Sequence, residues 1–234
     1  MSSPRPLLYT YRRCPYAMRA RMALLVAGIP FDAHEIVLRD KPAALLAASP
    51  KGTVPVLVLT DGRVIEQSWD IVRWALSQPD QAESVQAWWP LAQSDANIAL
   101  LHTNDGEFKH HLDRYKYPER FSTEQHVTVS DVREHHRTQA VQALLQPLEV
   151  RLEDAAFLGG TSPCATDIGL FPFVRQFAAI DPPWFERQPW GHVQRWLAHW
   201  LQSPLFSACM AKLPANIPTR FGTAAHPDPT SRSA

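Results

Sequence analysis

The 234-residue sequence predicts two unlike domains: a small α/β domain of order β-α-β-α-β-β-α over residues 1–78, then an all-helical domain over residues 84–213. Three observations carry this. Short apolar runs alternate with helical patterns as far as Leu76. After the Gln78-Pro79-Asp80 break, every periodic segment has helical spacing. From Pro214 onward, prolines 218, 227 and 229 lie among Ser, Thr and Ala, which predicts a flexible tail over residues 214–234.

In order, Leu7 to Tyr11 reads as a strand and Cys14 to Ala27 as a helix, with Pro15 at its first position. Met18, Met22, Leu25 and Ile29 form its apolar face, Gly28 is its C-terminal cap and Pro30 its stop. Phe31 to Leu38 reads as a strand and Pro42 to Ala48 as a short helix. Asp61-Gly62 is a hairpin signal between the apolar runs Thr53 to Leu59 and Val64-Ile65, and Ser68 to Leu76 reads as a helix. Beyond the break, helices are expected over 84–115 with an interruption near Pro90, and over 124–155 with a kink at Pro147. Asp167 to Ala178, His192 to Leu201 and Leu205 to Ala211 complete the set.

Lys plus Arg and Asp plus Glu balance at 23 each, so nothing favours a nucleic-acid or anionic-membrane partner. No apolar run is long enough to span a bilayer, and Arg5, Arg12 and Arg13 interrupt any secretory leader at the N-terminus. Cys14, Cys164 and Cys209 are too scattered for a disulfide framework, which points to a reducing, cytoplasmic setting with free thiols. The eight tryptophans read as helix-packing residues.

The first chemical feature is Cys14, between a strand and a helix start. Free backbone N–H groups and the positive end of the helix dipole there favour thiolate over thiol. Arg12, Arg13, Arg19 and Arg21 add positive charge, mostly from solvent-facing positions. A buried structural cysteine fits the same residues equally well. The second feature is Val54-Pro55 inside a strand-like run. Proline gives up a ladder hydrogen bond, so it belongs at an edge, at a bulge or in a cis bond. In the cis case the Val54 backbone can pair with an extended, peptide-like ligand.

The stretches CPYAMRARMAL, DKPAALLAASPKGTVPVL and GRVIEQSWDI follow one another as in the thioredoxin-like N-terminal domain of glutathione transferases. GGTSPCATDIGLFPFVRQFA resembles the central motif of their helical domain. The likeness runs to about Leu213 and is greatest to cysteine-type members: omega-class-like proteins, two-domain glutaredoxins and a bacterial group. It implies Cys14 as catalytic cysteine, Val54 as backbone partner of the cysteinyl part of glutathione, and Pro55 as cis-proline. It matches Gln67 and Ser68 to the pair that holds the γ-glutamyl end, with Gln67 in place of a frequent Glu, and Glu66 or Asp70 left to balance the ammonium. Lys41 matches a lysine that reaches the glycyl end, and reads equally as a solvated surface charge. Homodimers are usual in the family.

The motif is Cys-Pro-Tyr-Ala, so Ala17 cannot resolve a mixed disulfide and a single-thiol cycle is implied. The expected activity is glutathione-dependent thiol transfer on mixed disulfides, dehydroascorbate or glutathionyl conjugates. Conjugation, isomerisation or dehalogenation of an electrophile is the alternative, and a non-catalytic protein-binding module the third reading. Glutathione is the one co-substrate implied. Candidate residues for a second-substrate pocket are Tyr16, Lys109 and Tyr115, the last two in the donor-rich stretch 108–117. Asp167 reads as a folding element in an N-cap box, where Cys164 is a weak cap for which Ser162 or Thr161 can substitute. His110-His111 and His135-His136 lack metal-motif spacing, and adjacent helical residues diverge, so no metal is expected.

Overall fold

A computed structural model describes residues 4–79, 81–121 and 128–221. The chain divides into two compact units, residues 1–89 with 200–234, and residues 90–199. Residues 200–213, grouped by sequence with the helical domain, therefore belong with the first unit.

The first unit follows the expected order: β1 (Leu7–Thr10), α1 (Pro15–Val26), β2 (Phe31–Glu35), α2 (Ala43–Ala48), β3 (Val56–Val58), β4 (Val64–Ile65) and α3 (Ser68–Leu76). Strand β1 pairs parallel with β2 and antiparallel with β3, and β3 pairs antiparallel with β4. Gly62, at φ +86°, makes the β3–β4 turn. Helix α1 ends in a Schellman motif: Gly28 N donates to Leu25 O at 3.1 Å and Ile29 N to Leu24 O at 3.0 Å, with Gly28 at φ +66°.

Helix α1 departs from its expected amphipathic form. It is buried along nearly its whole length, Arg19 and Arg21 included, because the unit packs α3 against it and α13 (Pro204–Cys209) as well. The tail departs too. Residues Thr219–Phe221 form β5, antiparallel to β2, so the sheet order is β4-β3-β1-β2-β5. Phe221 sets its ring 5.1 Å from that of Phe31. The exposed ladder edge of β2 supplies what the three residues lack in sequence pattern. Residues 222–234 of the expected tail lie outside the described residues.

Proline and capping residues subdivide the helices after residue 80. They are α4 (Glu83–Gln86), α5 (Trp88–Leu91), α6 (Asp95–Thr103), α7 (Lys109–Lys116), α8 (Val129–Ala140), α9 (Gln146–Arg151), α10 (Ala165–Ala178), α11 (Pro182–Glu186) and α12 (Gly191–Gln202). The expected 84–115 helix breaks twice before Asp95, where Ser94 caps α6. A π turn, Asn104–Phe108, joins α6 to α7. The second long helix begins at Val129 under a Thr128–Asp131 capping box; positions 124–127 of that expectation lie outside the described residues. A π turn, Val141–Leu145, precedes Pro147, where a missing N–H and a ring clash would otherwise break the α ladder. Pro182-Pro183 disguised α11, which Asp181 caps by accepting from Trp184 N at 3.1 Å. No helix among the described residues is long and apolar enough to cross a membrane.

Asp167, in the first turn of α10, is fully buried. Its carboxylate accepts from Cys164 N at 2.9 Å, Leu158 N at 3.0 Å and Trp196 Nε1 at 2.7 Å. Burial pushes its pKa up, against three hydrogen bonds that favour the charged form. It acts as the folding element that the sequence reading anticipated, and the N-cap of α10 is Cys164 itself, not Ser162 or Thr161.

Two stability predictions follow from these contacts. Asp167→Ala strands three buried donors and is expected to cost about 3 kcal/mol or more in urea unfolding. Phe221→Ala removes a ring that is 5% exposed from the edge of the sheet, with an expected cost of about 3 kcal/mol in the same measurement; an unchanged midpoint would leave β5 without a structural role.

Candidate active site

Cys14 is the N-cap of α1, at φ −76° and ψ 123°. Its carbonyl accepts the first helical bond from Met18 N at 2.9 Å, and Pro15, at the first helical position, has no N–H to satisfy. Its Sγ lies 3.8 Å from the Val54 carbonyl oxygen, and Val54–Pro55 is a cis peptide. The loop that leaves β1 and the loop that enters β3, its antiparallel neighbour in the sheet, thus meet at one sulfur. Cys14 is half-buried, whereas Cys164 and Cys209 are buried. Burial, with the nearby Asp167 carboxylate second, pushes the Cys164 thiol up to about 12. Cys209 donates to Met18 O at 3.8 Å. Ala17 is fully buried in α1.

The loop that carries Cys14 is anchored by Arg21. Its Nη2 donates to Arg12 O at 2.7 Å, its Nη1 to Thr10 Oγ1 at 3.2 Å, and the Glu35 carboxylate lies 3.8 Å away. Glu35 in turn accepts from Arg12 N at 2.7 Å. On the Val54 side, Tyr9, Ile36, Leu45 and Val56 form a buried cluster, and Val54 packs against it.

Ser68 opens α3 and is buried; Gln67, its N-cap, is exposed. Arg19 Nη1 donates to Ser68 Oγ at 3.2 Å, and its guanidinium lies 5.5 Å from the Tyr16 ring centroid and 5.6 Å from that of Trp69. Arg19 is the residue that sequence reasoning missed. Its signal was its place on α1, five residues past Cys14, but a cation there reads as solvent-facing until α3 is packed against it. Tyr16 is thereby on the Cys14 side of the unit. Glu66 is engaged by Ser49 Oγ at 2.6 Å and Lys51 Nζ at 3.7 Å, and Asp70 by Arg73 at 3.1 Å. Lys41 is exposed, and its Nζ would lie 3.2 Å from a Cβ at Gly52, two residues before Val54.

The pocket residues expected in the helical unit fare differently. Tyr115 is 1% exposed and stacks against Phe177 at 5.0 Å, and burial raises its pKa. Its ring is part of the core, which corrects its reading as a pocket wall. Lys109 is half-buried and ion-paired with Asp113, one turn on. The histidine rings also lie closer together than the expected divergence of neighbouring helical residues implies. His110, His111, His135 and His136 gather into one cluster, with centroids of the His110 and His111 rings 4.9 Å apart and those of His111 and His136 5.0 Å apart. Packing of α8 on α7 brings together what periodicity along one helix would separate. Burial, then the neighbouring His111 and His135, lowers His136 to about 4.

Comparison with known proteins agrees with this arrangement. Residues 8–83 match the glutathione S-transferase N-terminal domain and residues 117–199 the C-terminal domain of the same family. The chain is 25% identical over 214 residues to glutathione S-transferase omega-1 of Mus musculus, covering 88% of this chain and 77% of that protein. It is 29% identical over 101 residues to glutaredoxin 2 of Escherichia coli strain K12, covering 40% of this chain and 46% of that protein. A crystal structure of a glutathione transferase from Burkholderia graminis, with two glutathione molecules bound per subunit, superposes with a TM-score of 0.70 at 18% identity. That superposition covers 88% of this chain and 87% of the other. The two matched domains, in order over the fold described above, show that the chain belongs to the glutathione S-transferase family.

Proposed function

We propose that the protein is a glutathione-dependent thiol transferase that works through Cys14 alone. The observation that carries this is the part-exposed Cys14 at the start of α1, 3.8 Å from the Val54 carbonyl, in a chain whose other two thiols are buried and whose position 17 is alanine.

In the proposed cycle, Cys14 thiolate attacks the glutathionyl sulfur of a mixed disulfide. A Cys14–glutathione disulfide forms, and the substrate leaves as a thiolate that takes a proton from water. Glutathione thiolate then attacks that adduct, releasing oxidised glutathione and restoring Cys14 thiolate. A glutathionyl ketone enters the same way: the carbon–sulfur bond breaks, its electron pair leaves as an enolate, and water protonates it. Ala17 leaves the second step to glutathione.

The binding half of the proposal assigns the γ-glutamyl end to Gln67 and Ser68, the cysteinyl backbone to Val54 beside Pro55, and the glycyl carboxylate to Lys41. Arg19 adds a positioning role. A guanidinium only donates, so Ser68 Oγ accepts from it and keeps its own hydrogen for a ligand carboxylate. Tyr16 borders the second substrate, and Lys109 stays a candidate for the same pocket. The setting proposed is a reducing cytoplasm, where glutathione is abundant, with a homodimer as the working form.

Incubation of the protein with oxidised glutathione is expected to leave one glutathionyl group on Cys14, released by reduced glutathione and read by mass spectrometry. Cys14→Ser should lower thiol-transfer kcat/KM by at least about 1,000-fold; full activity in that variant would sink the mechanism. Ser68→Ala and Arg19→Gln should each raise the KM for glutathione by roughly 10-fold with little change in kcat, since a hydrogen bond to a charged group is worth about 1.5–3 kcal/mol.

A further inference from the structure

The helical unit holds a group of imidazoles that the Cys14 chemistry does not use. We propose that His110, His111 and His136 bind one divalent late transition-metal ion, zinc being the best fit, and so tie α7 to α8.

One ring nitrogen of each of the three lies within 4.8 Å of the others. Nδ1 of His111 and Nδ1 of His136 are 2.7 Å apart, although 25 residues separate them in sequence. Two nitrogens on one tetrahedral zinc ion, at about 2.0–2.1 Å from it, stand about 3.3 Å apart. A parting of roughly 0.6 Å, within reach of small side-chain rotations, would therefore admit the ion. In its absence one Nδ1 donates its hydrogen to the lone pair of the other, and binding the ion requires that ring to carry its hydrogen on Nε2 instead. His111 and His136 are half-buried and His110 is exposed, so the site has a supported inner side and an entry path. His135, with its ring centroid 4.9 Å from that of His136, flanks it.

The donor set decides the class of ion. Neutral imidazole suits zinc, copper and nickel, whereas magnesium and calcium take oxygen ligands. Three imidazoles leave a fourth position for water. One group opposes the ion: Arg114 Nη1 lies 3.0 Å from His110 Nδ1. Its guanidinium already lies 4.3 Å from the Phe121 ring centroid, a contact that can hold it once it releases His110. Glu107, one turn before His110 and His111, acts on His111 in the opposite sense to Arg114.

Zinc titrated by calorimetry into full-length Cys14→Ser protein, which lacks the accessible thiol, tests the site independently of thiol transfer. One ion per chain with micromolar or tighter affinity is expected, with no response to magnesium. His111→Gln and His136→Gln should each weaken zinc binding by at least about 10-fold while helical circular dichroism is retained. Cobalt in place of zinc should give the visible absorption of a tetrahedral site, lost in both variants. Zinc at 100-fold excess over its Kd should raise the melting midpoint by roughly 5 °C in the parent alone. No zinc binding by Cys14→Ser, or binding unchanged in the histidine variants, would overturn the proposal.

Discussion

The place of Cys14 depends on a buried cation further along the helix that it caps. Arg21, 1% exposed, gives hydrogen bonds to the Arg12 carbonyl and the Thr10 hydroxyl, while Glu35 from the neighbouring strand faces it and accepts the Arg12 amide. Removing either charge would leave the other buried without its counter-charge, which is far costlier than the pair is stabilising. That asymmetry gives the loop between β1 and α1 one conformation, and the sulfur of Cys14 inherits its position from it. The carbonyl of Val54 is held with similar economy, by the apolar cluster of Tyr9, Ile36, Leu45 and Val56.

Arg19 and Arg21 divide the work of α1. Both are on a helix buried nearly throughout, so each must spend its donors inside the protein. Arg21 turns towards the strand end and fixes the Cys14 loop; Arg19 turns towards α3 and fixes Ser68. The backbone starts of α1 and α3 are therefore tied to a single helix, and the spacing between a sulfur and a hydroxyl on different segments follows from two side chains two residues apart.

What the sequence made legible was local. Proline at a first helical position, glycine at a C-terminal cap and Asp-Gly at a turn act over a few residues, and the elements through α3 lie where those signals put them. Cys14, Val54 and Pro55 came together as the resemblance implied, because their places are set by that same local grammar. Illegible features were those created by packing between distant segments. A cation on α1 gives no sign of its burial until α3 and α13 are in place, and an aromatic in a polar stretch, Tyr115, gives no sign that Phe177 awaits it. The convergence of the histidine rings was illegible for the same reason, since each helix alone spreads its rings and only two helices together converge them. Strand β5 is the limiting case: three residues with no period of their own, defined by the open edge they cover.

That strand has a consequence for the order of events during synthesis. The first unit comprises residues 1–89 and 200–234, so its outermost strand and α13 leave the ribosome only after the whole of the helical unit. At about 5–20 residues per second, several seconds or more separate β2 from its partner β5. During that interval the edge of β2 is open, and Cys209 is not yet available to reach the Met18 carbonyl. Residues 90–199 form one continuous stretch and face no such delay. The unit that holds Cys14 is started before the helical unit and finished after it, which ties completion of its sheet to segments made on the far side of a whole folded unit.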